Sequence, residues 1–274
     1  MKRMRRMNGK TGKLTSVIVA TAATAFLVGA TVGTTLAAES AHPSLDLSVG
    51  LYSKYVWRGY ELSKDSMVVQ PSLTASYEGF GFNLWGNLDT DQSLDIYNED
   101  GANWNETDMT VSYDGSYGMV GYTLGYIYYG LEGARDSQEF YGSISLDTLL
   151  SPTLTVYREF SNYPGWYTTL GISHSFALTD KVSLDLGAQA SYLVVDDAST
   201  LADPDNPGDA YSDFHDGLIS AAVTIPVTRY VTVTPELYYS FALNSTASDV
   251  MKASSASGND DNFLYGGVSV GFSY

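Results

Sequence analysis

The sequence predicts an all-β chain that closes as a transmembrane antiparallel up-and-down β-barrel of about twelve strands. Three observations predict it. In the last eleven residues, Leu264, Gly266, Val268, Val270, Phe272 and Tyr274 share one side and Tyr265, Gly267, Ser269, Gly271 and Ser273 the other, so the chain ends on a two-faced strand with a terminal aromatic. The same period of two recurs in short segments along most of residues 45–274. Finally, past the first 37 residues no run approaches the ~20 apolar residues of a membrane helix, yet the chain is 44% hydrophobic and only 16% charged, with 22 Tyr and 26 Gly. A lipid-facing band with aromatic girdles calls for that composition.

Residues 1–37 read as a cleaved signal peptide. Lys2, Arg3, Arg5, Arg6, Lys10 and Lys13 precede an uncharged run from Leu14 to Leu36, and Thr35 and Ala37 suit cleavage near Ala37 or Ala38. An uncleaved anchor is the alternative, disfavoured because the run is rich in Ala, Thr and Gly rather than Leu and Ile. Residues 38–274 then form a single barrel domain. Six of the 14 Lys and Arg lie in the leader, so the remainder sets eight bases against 31 acids, a balance that repels nucleic acid. Cysteine is absent, which removes disulfides and thiol chemistry.

The strands follow in order. Leu45, Leu47, Val49 and Leu51 face outward in the first, with Asp46, Ser48, Gly50 and then Lys54 and Arg58 opposite. The second, from Met67 to Tyr77, contains Pro71, which lacks a backbone donor and predicts a bulge. The third runs from Phe80 to Leu88 and the fourth from about Asn105 to Tyr113, across an acidic loop. A fifth from Val120 to Tyr128, a sixth from Phe140 to Thr148, a seventh from Thr153 to Phe160 and an eighth from Trp166 to Phe176 come next. The clearest alternation, Val182 to Val194, is the ninth; the Asp-, Pro- and Gly-rich segment 196–211 is loop. Asp216–Ile225 and Val231–Phe241 are the tenth and eleventh, and Asn244–Asn262 reads as a mobile external loop before the closing strand. Short turns alternate with longer, more acidic links, as in a barrel of even strand number with both ends in the periplasm. The sixth and seventh strands are the least marked, so ten to fourteen bracket the count. A soluble β-sandwich or calyx is the structural rival, because alternation alone does not say whether an oily face meets lipid or a core.

Val268, Val270, Phe272 and Tyr274 resemble the assembly signal of bacterial outer-membrane barrels. Tyr55, Val56, Trp57, Arg58 and Gly59, with Ser63, Gln70, Pro71 and Ser72, resemble a proteobacterial family of the conserved hypothetical "gcw" type, which carries an aromatic-Val-aromatic-Arg-Gly motif after its first strand. Gly81, Phe82, Trp85 and Gly86 are also similar, while Trp57 and Tyr60-Glu61-Leu62 depart from the pattern. The resemblance implies an outer-membrane barrel and brings no established activity. Physically, Arg58 points inward near the outer rim, where its guanidinium can clamp Glu61, Asp89 or Glu78, and Gly59 begins a turn.

The inward set is the main functional clue: Asp46, Glu78, Asp89, Glu106, Asp108, Asp147, Glu159, Asp185 and Glu236 against Lys54 and Arg58. A water-filled lumen so lined favours cations or neutral polar solutes; side chains that fill it would instead form a buried polar network. The spacings Asp89-Thr90-Asp91 and Asp213-Phe214-His215 are similar to the omptin type of barrel protease, which activates water between carboxylates and an Asp-His pair. Strict alternation turns His215 outward with Ile219, Ala221 and Val223, against that reading. His174 lacks the serine that a barrel phospholipase needs two residues away, and His42 precedes the first strand. Asp203, Asp205 and Gly208 suggest a calcium loop, but Pro207 and Phe214 stand where ligands are required.

The sequence thus predicts an outer-membrane barrel, either a narrow porin-like channel with an acidic, weakly cation-preferring lumen or a structural surface barrel. It predicts no enzyme, no cofactor and no metal centre; the alternative is an omptin-like enzyme at the extracellular mouth. The partners expected are outer-membrane lipid and lipopolysaccharide, the barrel-assembly machinery, and small cations or polar solutes.

Overall fold

A computed structural model describes residues 42–92 and 101–274. The predicted leader, and most of the acidic loop after the third strand, lie outside the described residues. Twelve antiparallel strands close into one barrel. They are β1 (Ser44–Tyr52), β4 (Val68–Tyr77), β5 (Phe80–Gln92), β6 (Gly101–Tyr117), β7 (Val120–Leu131), β8 (Ser137–Leu146), β9 (Thr153–Glu159), β10 (Gly165–Ala177), β11 (Ser183–Val195), β12 (Ser212–Pro226), β13 (Val231–Ala242) and β14 (Asn262–Ser273). The remaining strands, β2 (Val56–Trp57) and β3 (Tyr60–Glu61), pair only with each other. The barrel closes where β1 meets β14, in unbroken register from Asp46 opposite Ser273 to Tyr52 opposite Gly267.

Closure explains why these strands can hold together with their oily sides bare. In hydrocarbon each unpaired N–H or C=O costs several kcal/mol, and only a sheet without edges pairs them all. Leu84, Leu124, Leu170, Ile172, Ile219 and Leu237 are exposed around the middle of the wall. Above and below this band stand exposed aromatics: Trp104, Phe140, Trp166 and Phe214 toward the long loops, and Tyr77, Phe80, Tyr117, Phe272 and Tyr274 toward the short turns. An apolar belt between two aromatic girdles is the outer face of an outer-membrane barrel. The soluble sandwich and calyx are excluded, because the large apolar side chains point away from the enclosed interior.

Local chemistry sets the connections. Tyr77 pairs with Phe80 across Glu78 and Gly79, whose φ angles of 49° and 82° are those of a two-residue primed turn. Glu78 is therefore an exposed turn residue and not part of the lumen lining. Asp147 is corrected in the same way: β8 ends at Leu146, and Asp147 sits half-exposed in the following turn, its N–H donating to the Met119 carbonyl (2.8 Å). Pro71 produces no bulge. Its register with β1, opposite Val49, is continuous, and β4–β5 pairing keeps its register on either side of residues 70 and 71.

The segment expected to be a mobile loop contains a helix, α1 (Ser245–Ser254). Asn244 caps it, its side chain accepting from the Ala247 N–H (2.8 Å), and Ala247, Val250 and Met251 are its buried face. Asp261 fastens the helix from below, accepting from Ser248 Oγ (2.5 Å) and pairing with Lys252 (3.2 Å). The Ser248, Asn262 and Lys252 donors hold its carboxyl down at about 2.

Leu170→Arg, in the middle of the lipid face of β10, is expected to lower barrel stability by about 2–4 kcal/mol, measured by denaturant unfolding of protein folded into lipid vesicles.

Candidate functional site: a hairpin seated in the lumen

Between β1 and β4 the chain does not extend away from the barrel. Tyr55, Trp57, Tyr60 and Leu62 are all buried, in one cluster with Trp85, Val195, Tyr211, Met251 and Phe263 from the wall and loops. β2 and β3 form a short hairpin whose turn is Arg58-Gly59, with φ angles of 45° and 81°. Glycine is required at the second position both by that φ and by space, since a Cβ on Gly59 would lie 2.9 Å from the Asp216 Cβ. The hairpin thus rests its tip against the barrel wall.

Arg58 is the anchor. Its Nη1 and Nη2 donate to the two carboxylate oxygens of Glu139 at 2.8 Å each, a bidentate fork. The guanidinium also lies over the rings of Trp57 (4.4 Å), Tyr157 (4.8 Å) and Tyr167 (4.2 Å). Glu139 accepts a further bond from Tyr129 (2.8 Å). The clamp partners expected from the sequence, Glu61, Asp89 and Glu78, do not bond Arg58. Glu61 is instead paired with Lys54 and receives the Ser257 N–H (3.1 Å). Asp89 is buried and accepts from the Asp91 N–H (3.0 Å).

His215 is inside the barrel. Ala190 pairs with Gly217 but Tyr192 pairs with Phe214, so Ser191 alone faces both His215 and Asp216, and this bulge turns both side chains inward. Strict alternation, which put His215 on the outer face, fails there. His215 is fully buried, with Nδ1 3.1 Å from Tyr211 Oη and Nε2 3.1 Å from the Arg58 carbonyl. Asp216 accepts from Tyr167 (2.8 Å) and Ser191 (2.5 Å). Both ring nitrogens of His215 are thereby engaged in holding the hairpin, and Asp213 bonds the N–H of Phe214 (2.7 Å), so the omptin-like constellation is not assembled.

The other inward acids occupy the wall. Glu106 accepts from Tyr55 Oη (2.8 Å), and Glu159 gathers the N–H groups of Ser161, Asn162 and Tyr163 (3.0 Å each). Asp185 accepts from Ser183 (3.0 Å) and Thr224 (2.8 Å) near the turn end, and Glu236 from Tyr52 (3.1 Å), Ser269 (2.7 Å) and Tyr238. Asp108 is buried in the wall, whereas Asp46 lies exposed at the turn-end mouth. Val270, Phe272 and Tyr274 are exposed on the outer face of the closing strand, with Val268 half-buried. Glu139 and Asp216 are functional-site residues that sequence reasoning missed. Ser137, Glu139 and Tyr141 continue the inward period of β8, a signal lost by starting that strand at Phe140.

Three cavities line up around the hairpin. One of about 40 Å³, between Trp57, Arg58, Tyr60, Glu139 and Glu159, lies on its loop side. One of about 110 Å³ lies beneath, walled by seven aromatic rings together with Lys54, Gln70, Thr169, Gln189, Asp216 and Ser240. Trp57 and Arg58 of the hairpin and Tyr167 of the wall border both. A third, of about 140 Å³, reaches Asp185 and Ser151 toward the turns and shares Gln189, Leu218 and Tyr238 with the second.

No family model and no curated protein matches the chain. Solved structures match the barrel. An outer membrane channel from Pseudomonas putida F1 superposes with a TM-score of 0.55 at 10% identity, over 88% of this chain and 98% of that one. The NanC porin gives 0.53 at 10% identity, over 83% and 98%. These likenesses show the fold, and with the closed sheet and its exposed apolar belt it is that of an outer-membrane β-barrel. The expectation that the chain is not an enzyme is corrected to an open one: likenesses at about 10% identity show the fold alone, and this fold neither excludes catalysis nor supplies a catalytic residue.

Removing one partner of the buried clamp, by Arg58→Ala or Glu139→Gln, is expected to cost about 3–5 kcal/mol. The double replacement Arg58→Met/Glu139→Leu is expected to lose less than either single change, read from denaturant unfolding of the refolded protein.

Proposed function

We propose that the protein is a narrow outer-membrane channel, throttled by its first long loop, that passes small cations or neutral polar solutes in preference to anions. The observation that carries this reading is the succession of three cavities along the lumen, parted at Trp57, Arg58 and Tyr167 and again at Gln189, Leu218 and Tyr238. A plugged structural barrel has no need of chambers on both sides of its plug. The acids Glu106, Asp108, Asp185, Asp216 and Glu236 on the inward face favour positive charge in transit. Arg58 does not reverse that preference, because Glu139 neutralises it in place. The porin and the channel that share the fold lend the reading that support alone.

The first-loop motif Tyr55-Val56-Trp57-Arg58-Gly59 supports membership of the family it resembles, and its physical role is to build the inward hairpin. The exposed Val270, Phe272 and Tyr274 at the end of β14 support delivery by the barrel-assembly machinery, with lipid and lipopolysaccharide around the apolar belt.

Planar-bilayer recordings test the proposal. The intact chain is expected to give small, cation-preferring unit currents, Arg58→Ala severalfold larger ones, and Asp185→Asn a reversal potential shifted toward non-selectivity. Absence of current from both the intact chain and Arg58→Ala, each shown to be folded, would contradict it.

A further inference from the structure

Two polar side chains on the wall of the second cavity are left unserved by the protein. Ser240 is 2% exposed and borders this cavity, yet its Oγ has no hydrogen-bond partner; neither has Oε1 of Gln189, half-buried on the same wall. The sheet sets them in one row. Gln189 on β11 stands opposite Leu218 on β12, and Leu218 opposite Ser240 on β13, so two strand spacings, roughly 10 Å, separate the polar groups, with a leucine between them. Two residues from Ser240 on the same inward face, Tyr238 stacks on Tyr265 with ring centroids 5.1 Å apart, and both rings line the cavity. The charged groups that line it are, by contrast, already engaged: Arg58 bonds Glu139, Lys54 pairs with Glu61, and Asp216 accepts from Tyr167 and Ser191.

We propose that this cavity binds one ring of a neutral polyhydroxylated solute of the hexose class, gripped between Gln189 and Ser240 over Leu218. The proposal rests on the channel reading and narrows its solutes to the neutral kind. A sugar hydroxyl both donates and accepts, so it serves the Gln189 carbonyl oxygen and the Ser240 hydroxyl alike. Hydroxyls on opposite edges of one ring reach both ends of the row. The C–H faces of such a ring suit Leu218 and the tyrosines of the wall, which combine an apolar body with a polar tip. A charged solute fits less well. A cation meets Lys54 and Arg58 facing the same space, and an anion meets Asp216 and finds both bases already paired. Size sets the limit at a single ring: at about 110 Å³ and 140 Å³ the second and third cavities are each close to the ~150 Å³ that encloses one benzene ring, and they share Gln189, Leu218 and Tyr238.

Saturation-transfer difference NMR tests it on the folded chain in a detergent without a sugar headgroup, with D-glucose as the probe. The intact chain is expected to give a saturable signal, and Gln189→Leu and Ser240→Ala each to weaken the apparent affinity about fivefold or more. At equal concentration D-gluconate, and D-glucosamine at a mildly acidic pH where its amine is charged, are expected to give a small fraction of the glucose signal. No saturable glucose signal from the intact, folded chain would overturn the proposal and leave the row to water. A glucosamine or gluconate signal equal to that of glucose would also overturn it, as would a glucose affinity unchanged in both variants. Should one variant fail to fold, the other decides; should both, the comparison of the three probes on the intact chain decides. Because the readout needs no current, a chain that conducts without holding glucose sinks this inference alone, and one that holds glucose but carries no current sinks the channel reading alone.

Discussion

A strand in hydrocarbon has no water to bond, so every N–H and C=O on its edges must find a neighbouring strand. The pairing of β1 with β14 meets that demand for the whole sheet, and what else the molecule does follows from it. Because the sheet is closed, alternation assigns each strand residue to lipid or to the interior. With the outward positions given over to Leu, Ile, Phe and Val, polar chemistry is confined to the interior and the rims. The acids of this acidic chain that lie along the strands are thus concentrated where a solute crossing the barrel would meet them.

The interior is organised by one cation. Arg58 reaches the wall from the tip of a short hairpin, and its fork on Glu139, its three ring contacts and the His215 contact to its carbonyl fix that tip from several sides. The electrostatics are local: a buried guanidinium without Glu139 would be strongly unfavourable, and a buried Glu139 without Arg58 equally so. A loop held in this way divides the lumen into separate cavities. The same arrangement could be released without unfolding the barrel, since the hairpin is not hydrogen-bonded into the twelve-stranded sheet.

Much of the fold was legible in the sequence because one face of each strand is under a single, uniform demand. Leu, Val and aromatic residues at every second position report the lipid face directly, and the primed turn at Glu78-Gly79 or the terminal Phe272 and Tyr274 are local signals. The interior was less legible, for reasons that are also local. A bulge at Ser191 changes the phase of His215 without altering the composition of β12. Glu139 precedes the first outward aromatic of its strand and so fell outside the segment read as sheet. α1 is built largely from Ser, Ala and Asp, and its cap at Asn244 and its buried Ala247, Val250 and Met251 are masked by a loop-like composition. Tyr55-Val56-Trp57-Arg58-Gly59 could be seen to matter, but nothing in its spacing says that the loop turns inward, because its partners Glu139, Tyr157, Tyr167 and His215 are 80 or more residues away in the chain.

The central claim is that the oily faces of these strands contact acyl chains and the polar faces enclose a lumen. The absence of cysteine makes it directly measurable, since a single introduced thiol carries a spin label without competition. Labels at Leu170→Cys and Leu124→Cys, in protein folded into lipid vesicles, are predicted to be relaxed strongly by bilayer-dissolved oxygen and hardly at all by a water-soluble nickel complex. A label at Ser220→Cys, on the inner face of β12, is predicted to show far less oxygen relaxation. Equal oxygen exposure at all three positions, or the reverse order, would contradict the account.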